Sequence, residues 1–530
     1  MKTTLLPPNP SRLIEGLRDT GYDFNTALSD IIDNSIDAGA SLVDIRILMD
    51  TDGDVRITIA DNGCGMDEAT LLNGMTYGAP EKSDPSRLGK FGLGLKTAST
   101  AFARKLSVIT RNSANSRLLK ATWDLDFVIK VGDWQLILQD PDEEEVELFE
   151  EIAHETTGTL VIWEKIDRLL KVYKKPGCQQ ARKALETIVD AFRDHASMVF
   201  QRFLDTKDGR ARNIKMVLNG EPLLPWDPFC INEPGTELVA QIDQPVEFDN
   251  GECANFILKA FVLPRREEFS TPEAAKKARL GNHTQGIYLY RENRLIHSAD
   301  WFGMFTKEPH YSLLRVDFSF SHELDLALKV DIKKSKIILN PDLYDLILNK
   351  FLPAPRNAAS ERYRIGKKID INRATQNAHE ISNKSISSKE QDVIRSTIEV
   401  IDKDVVSVKN NSGTVVLKLK VMDSASSEKV CVNPVESLDD GLLWEPALIN
   451  EHHAVRINKG HPYYHKVYIP NLNSGVLVQG MDSLLWALAE AELSTINEAT
   501  KRHFEELRYE VSRILRKLVE DLPEPELGNL

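Results

Sequence analysis

The sequence predicts an α/β (α+β) protein. It should comprise an N-terminal α/β sandwich, a second α/β domain and a C-terminal α+β region with long helices. Three observations predict this. Residues 28–37 combine an apolar helix face with a carboxylate-rich one. Residues 55–59 alternate like a half-buried strand and run into a tight turn. Beyond residue 210, strand patterns give way to long helix-spaced runs near the end of the chain.

The first motif is Asp30-Ile-Ile-Asp33-Asn34-Ser-Ile-Asp37-Ala-Gly39. At about 100° per residue, Asp30, Asp33, Asn34 and Asp37 share one helix face, with Leu28, Ile31, Ile32 and Ile36 on the other. Most charge rows are solvated helix surface. Here the row holds no Lys or Arg, and small residues (Ala27, Ala38, Gly39, Ala40) flank it. A bound cation such as magnesium, which takes carboxylate, carbonyl and phosphate oxygens, would account for the uncompensated oxygens.

The second motif, Asp61-Asn62-Gly63-Cys64-Gly65-Met66, follows a strand in which Val55, Ile57 and Ile59 alternate with Arg56 and Thr58. Glycines on both sides of Cys64 allow a sharp turn close to a flat ligand. Asp61 ends the strand where its carboxylate points into a pocket, and Met66 is placed to pack on a ring. An ordinary Asn-Gly hairpin turn is the plainer alternative. The third motif is Gly89-Lys90-Phe91-Gly92-Leu93-Gly94-Leu95-Lys96. Glycine-freed amides and a following helix start suit phosphates. It is not a Walker loop, and it does not follow the first strand as a dinucleotide fingerprint does.

In this order, the three motifs resemble those of the gyrase, heat-shock chaperone, histidine kinase and MutL ATPase superfamily (the Bergerat fold). A fourth segment, Thr157-Gly158-Thr159-Leu160-Val161-Ile162, stands where that family has a Gly-Thr pair opening a strand. The chain is most similar to the MORC- and MutL-type bacterial ATP-binding proteins. The resemblance covers the first 170 residues or so and implies a Bergerat sandwich that binds ATP with Mg2+. It implies that Asn34 meets magnesium, that Asp61 accepts from the adenine amino group, and that Gly63, Gly65 and Met66 lie at adenine with Thr159 nearby. It further implies that Gly89, Lys90, Phe91, Gly92, Leu93 and Gly94 form a lid over the triphosphate, with Lys96 facing phosphate and Asp37 on the same ATP-binding face. Residues 75–88 would be the mobile part of that lid. The family's general base is a glutamate four residues before the asparagine, and here Asp30 stands there. Aspartate reaches about one methylene less far, so the helix sits closer, a water bridges, or turnover is slow. Asp33 is the nearest alternative carboxylate.

Four regions follow: an ATPase domain at 1–175, a helical connector and transducer domain at 176–350, a helical segment with linker at 351–399, and an α+β dimerisation or partner domain at 400–530. A helix is predicted over 179–204, and strands over 213–217, 254–263, 286–290 and 326–330. The strand–turn–strand segment at 285–296 resembles the transducer of MORC ATPases. In that family a transducer lysine reaches the γ-phosphate; Lys333, Lys334 and Lys336 are the candidates, with Lys334 chosen. Residues 352–378 are predicted helical, and the serine-rich stretch 382–390 a linker. His461, in His-Pro-Tyr-Tyr, lacks a triad or metal partner and is expected to be packing. Helices follow over 481–499 and 501–520. In the second, Phe504, Leu507, Val511, Ile514, Leu515 and Val519 suit either a dimer contact or an internal core.

With 530 residues, 42% apolar, the chain has material for two to four domains. A net charge of −14 excludes a generally basic nucleic-acid coat but not a local groove. Basic clusters occur at Lys171, Lys174, Lys175 and Arg182, and at Arg265, Arg266, Lys276, Lys277 and Arg279. Five cysteines without metal spacing, a proline-broken start and no membrane-length apolar run lead to an expected cytoplasmic, membrane-free protein. The expected function is an ATP-hydrolysing, dimerising clamp in DNA transactions, such as bacterial restriction-modification or anti-phage defence. No nuclease motif is evident, so cutting requires a nuclease or other effector protein as partner. The alternatives are a chaperone-like ATPase acting on protein clients and a nucleotide-binding switch with very slow hydrolysis.

Overall fold

Strands β1 (Leu42–Met49) and β2 (Val55–Asp61) form an antiparallel pair in which Val43, Ile45, Ile47, Ile57 and Ile59 are fully buried. Six strands extend this pair: β3 (Ala103–Arg111), β4 (Leu119–Asp124), β5 (Ile137–Leu138), β6 (Gly158–Ile166), β7 (Lys215–Leu218) and β8 (Glu221–Pro222). Their order is β5-β4-β3-β6-β2-β1-β7-β8. The pairs are antiparallel except β1 with β7. The strand predicted at 213–217 therefore completes the first sheet, since the Asn219 amide accepts from Ile47 N at 2.8 Å and β7 runs beside β1. The structure is a computed structural model describing residues 9–19, 21–78, 84, 86–88, 94–171, 173, 175–247, 253–325, 339, 341–423, 429–472 and 474–522.

Helices α1 (Pro10–Arg18), α2 (Phe24–Asp37), α3 (Glu68–Met75), α4 (Gly94–Phe102), α5 (Leu125–Val131), α6 (Glu143–Ala153), α7 (Gln179–Val199) and α8 (Gln201–Leu204) cover this sheet. Alternation assigns the two faces. Ile57, Ile59, Val161 and Trp163 join the core that holds Leu28, Ile31 and Ile32 of α2 and Phe192 of α7. Ala60, Leu160 and Ile162 face the other way, onto Phe149 and Ala153 of α6. The apolar side of α2 thus lies on the sheet, and Asp23 caps its first turn by accepting from Thr26 N.

A buried ion pair joins α6 to β4. Lys120 Nζ lies 2.6 Å from both Glu145 oxygens, and each side chain is 3% exposed. Lys120→Met strands that carboxylate and is expected to destabilise the protein by about 3–5 kcal/mol. The measurement is the urea midpoint. Lys120→Met combined with Glu145→Gln should recover much of the loss, because glutamine keeps the capping bond to Asp142 N.

The second sheet holds β9 (Glu237–Glu247), β10 (Cys253–Val262), β11 (Gly286–Arg291), β12 (Arg294–Asp300) and β13 (Leu314–Phe320), ordered β12-β11-β13-β10-β9. Strands β10 and β11 coincide with predicted ones, and the strand predicted at 326–330 lies outside the described residues. Strand β13 escaped notice because Arg315 and Asp317, both buried, interrupt its apolar run. Helices α9 (Pro272–Lys277) and α10 (Pro341–Asp345) accompany this sheet.

The chain divides into two units, Met1–Glu361 and Arg362–Leu530, and the boundary falls inside α11 (Pro353–Ser387). The predicted linker at 382–390 is instead helix through Ser387, with α12 (Glu390–Val393) following. Packing overrides the serine-rich composition here: Ser382 and Ile386 are buried, and Asn383 Oδ1 accepts from Cys431 N and Val432 N at 2.8 and 2.6 Å. The second unit contains an antiparallel sheet of β14 (Thr397–Asp402), β15 (Val405–Asn410) and β16 (Gly413–Lys418). It also contains β17 (Lys420–Met422), β18 (Val432–Val435), β19 (Trp444–Ile449) and β20 (His452–Asn458), in the order β17-β19-β20-β18. Helices α13 (Gly475–Leu493) and α14 (Glu498–Leu518) end it. The near-heptad stripe on α14 is divided. Val511 and Leu515 pack on the core and Val519 is buried, whereas Leu507 and Ile514 are exposed. No described helix is long and apolar enough to cross a membrane.

Candidate functional site

The polar side of α2 forms one wall of a cavity of about 450 Å³, within the range of small-molecule sites. Asp30, Asn34, Asp37, Asp61, Gly65, Met66, Gly94 and Thr159 all line it. Asp30 is 8% exposed, and its Oδ2 accepts from the Tyr22 hydroxyl at 3.3 Å. Gly94, opening α4, sits above Asp30; a Cβ there would lie 3.6 Å from Oδ2. Asn34 Nδ2 donates to the Asp30 carbonyl at 2.9 Å. That bond fixes the amide so that Oδ1 is the atom available to a cation. Asp37 Oδ1 accepts from Leu88 N at 2.9 Å.

At the far end, Asp61 closes β2. Its Oδ2 accepts from Ser35 Oγ at 2.7 Å and its Oδ1 from Gly63 N at 2.9 Å. Burial pushes its carboxyl up to about 6, against the lowering effect of the Ser35 hydroxyl and the Gly63 and Thr159 amides. Gly65 has φ +63°, and a Cβ there would stand 2.0 Å from the Arg111 carbonyl oxygen, so this turn admits only glycine. Met66 N donates to Thr110 Oγ1 at 2.9 Å, and Thr159 pairs with Asp61 across β2 and β6.

Lys96, expected to face phosphate, is turned elsewhere. Its buried ammonium donates to the carbonyls of Gly74 and Thr76 at 2.8 and 2.9 Å and lies 5.9 Å from the Tyr77 ring centre. The C-terminal end of α3 supplies these acceptors, an attraction that local spacing does not reveal. Gly89, Lys90, Phe91, Gly92 and Leu93 lie outside the described residues, as do Lys333, Lys334 and Lys336. His461 is fully buried, with Nε2 on the Ser512 carbonyl and Nδ1 accepting from Tyr463 N, each at 3.1 Å.

Sequence reasoning missed Tyr22, Ser35 and Arg294. Ser35 carried no signal, being one hydroxyl between Asn34 and Ile36 in a motif whose carboxylates stand out more. Arg294 had an indirect one: the α2 carboxylates have no basic neighbour in sequence. A cation was expected to be a metal, and for Asp33 it is the Arg294 guanidinium, with Nε 3.1 Å from Oδ1. Among the described residues, no group of three His, Cys, Asp or Glu side chains is arranged to hold a metal by itself.

The family "Histidine kinase-, DNA gyrase B-, and HSP90-like ATPase" matches residues 22–159. Protein MICRORCHIDIA 6 of Arabidopsis thaliana is 29% identical over 99 residues, which are 18% of this chain and 15% of that protein. ATPase MORC2B of Mus musculus is 27% identical over 134 residues, 23% of this chain and 13% of that protein. The chain thus spans about a seventh of the length of these curated relatives. Two solved structures are also similar. The N-terminal domain of a DNA repair protein has a TM-score of 0.39 and 16% identity, covering 67% of this chain and 98% of the other. The ATPase and transducer domains of DNA topoisomerase II from Balamuthia mandrillaris have a TM-score of 0.32 and 11% identity, covering 65% and 86%. The family match spans both ends of the cavity, from Tyr22 beside Asp30 to Thr159 beside Asp61, so the whole cavity lies in the segment that matches the histidine kinase-, DNA gyrase B- and HSP90-like ATPases.

Proposed function

We propose that this protein binds ATP with magnesium and hydrolyses it slowly, as a dimerising clamp in DNA transactions. The carrying observation is that one helix, α2, addresses both ends of one cavity. Ser35 holds Asp61 at one end, and Asp30, five residues or roughly 7.5 Å back along the helix axis, faces the other. Asp61 accepts from the adenine amino group. Asp30 takes the proton of a water whose oxygen bonds the γ-phosphorus as the bond to the β-phosphate oxygen breaks, releasing ADP and phosphate. Magnesium keeps most of its shell as water and phosphate oxygen, so a single Asn34 Oδ1 fits it. When bound, it neutralises phosphate charge. Asp33, fully buried against Arg294, is a poorer base than Asp30.

The ground for the DNA setting is the motif resemblance to the MORC- and MutL-type ATPases. Within it, restriction-modification or anti-phage defence with a nuclease or other effector is the proposed role. Exposed Leu507, Ile514 and Leu518 on α14 support a helical dimer contact. The shorter reach of Asp30 supports a variant of the same reading, a nucleotide switch that rarely turns over.

Light scattering after size exclusion is expected to give a monomer without nucleotide and with ADP. With a non-hydrolysable ATP analogue it should give a dimer, weakened at least tenfold, or about 1.4 kcal/mol, by Leu507→Glu. A monomer in all three states would overturn the clamp. Salt-dependent DNA binding favours the DNA setting, and no binding in either nucleotide state removes it.

A further inference from the structure

Strand β12 belongs to the second sheet, yet its first side chain enters the first domain. Arg294 Nε lies 3.1 Å from Asp33 Oδ1, and Nη2 lies 3.9 Å from Asp30 Oδ1. The three side chains are 5%, 1% and 9% exposed. Out of water, the guanidinium is held by a charged hydrogen bond to Asp33 and by the nearby charge of Asp30, and removing it leaves buried charge.

The turn that presents Arg294 is pinned on several sides. Arg291, its partner across the β11–β12 hairpin, makes a two-pronged pair with Asp325 at 2.7 and 2.8 Å. The same Arg291 donates to the Arg87 carbonyl at 3.1 Å, beside the cavity wall formed by Arg87 and Leu88. Asn293 donates to the Arg210 carbonyl at 2.9 Å and accepts from Arg202 at 3.2 Å. Arg202 is itself buried against Asp317 of β13. Behind the pair, His195 on α7 is pushed down to about 4, first by burial and then by the Arg294 charge, with Asp23 and Asp33 opposing. With the imidazole neutral, Arg294 is a cation that faces the α2 carboxylates at this point.

We propose that Arg294 is a positioning residue for hydrolysis. It occupies Asp33, so that Asp30 alone meets the attacking water, and its Nη2 sets the Asp30 carboxylate toward the cavity. Turnover then depends on how the β11–β12 hairpin sits on α2, which ties the second sheet to the chemistry without contact between Arg294 and nucleotide. This rests on Asp30 being the base.

The test uses the full chain and the variants Arg294→Ala, Arg294→Lys, Arg294→Ala with Asp33→Asn, and Asp30→Ala. Affinity for a fluorescent ATP analogue, KM and kcat are measured for each. Arg294→Ala is expected to bind the analogue within about threefold of the parent and to lose about 100-fold in kcat, the cost of a base misplaced by about 1 Å. Lysine restores part of it, lacking the planar fork. Millimolar ethylguanidinium restores part of the alanine variant's kcat. The Asp33→Asn double variant removes the stranded charge and keeps the comparison valid if Arg294→Ala does not fold. A low kcat in that double variant supports positioning; full recovery shows that Arg294 only neutralises Asp33 and overturns it. Turnover lost in Asp30→Ala but kept in Arg294→Ala overturns this proposal alone. Turnover surviving Asp30→Ala overturns the base reading and this proposal with it.

Discussion

Asp61→Asn should weaken ATP binding by about 100-fold or more and leave the nucleotide-free protein more stable. The two effects share one cause. Asp61 is 5% exposed, and burial raises its carboxyl from 3.8 to about 6. Two pKa units correspond to roughly 3 kcal/mol that the folded protein spends at neutral pH to keep this group ionised. Asparagine removes that cost. It keeps one acceptor for the Ser35 hydroxyl or the Gly63 amide and loses the other, a loss of about 1 kcal/mol. The expected net gain is about 1–2 kcal/mol, read as a higher urea midpoint. The amide, however, presents a donor to the adenine amino group, itself a donor. An unmatched buried pair of this kind costs about 100-fold or more in affinity, measured by titration calorimetry with Mg-ATP.

The pH dependence has the same two-sided form. Because the folded pKa lies above the unfolded one, the folded chain holds an extra proton between about pH 4 and pH 6. This contribution to stability rises as pH falls through about 6 and is complete near 4. ATP affinity moves the other way, weakening below about pH 6 as the acceptor is protonated. Parallel changes in affinity and stability would sink the assignment of Asp61 to adenine.

The second large effect is at Asp30. Asp30→Ala is expected to leave analogue binding within about threefold and to cut steady-state phosphate release by about 10²–10⁴-fold, the range for a lost general base. Asp30→Glu is the more discriminating variant. The carboxylate lies under Gly94 and beside Tyr22, with the cavity open in front of it. One more methylene carries the oxygens about 1.3 Å further toward the position of the attacking water. Turnover should therefore rise while binding is unchanged. A fall in kcat for Asp30→Glu would show that aspartate is already at the working distance and that turnover is limited elsewhere.

What was legible in the sequence was local. The faces of α2 follow from a 3.6-residue period, and the placement of Asp61 follows from alternation ending at a glycine turn, so both motifs could be assigned to one wall each. Pairing across the chain was not legible. Strand β7 meets β1 in parallel across a long separation, and Arg294 meets Asp33 although the two are 261 residues apart. The first leaves no mark on the residues beside it, and the second only an indirect one, a carboxylate row with no basic neighbour in sequence. Lys96 shows a different limit: spacing places a lysine at the start of α4, but only the position of the last turn of α3 decides where its ammonium goes. At 382–390, composition suggested a linker, and the burial of Ser382 and the bonds of Asn383 made it helix.

The direction of Lys96 has a further consequence. Its two bonds to Gly74 and Thr76 tie the start of α4 to the end of α3, so the chain between them leaves and returns through a closed neck. The entropy of closing such a loop grows only with the logarithm of its length, by about 0.6 kcal/mol per doubling. Lengthening the chain inside the neck, away from Arg87 and the buried Leu88, therefore costs the sheet and helices outside it little stability.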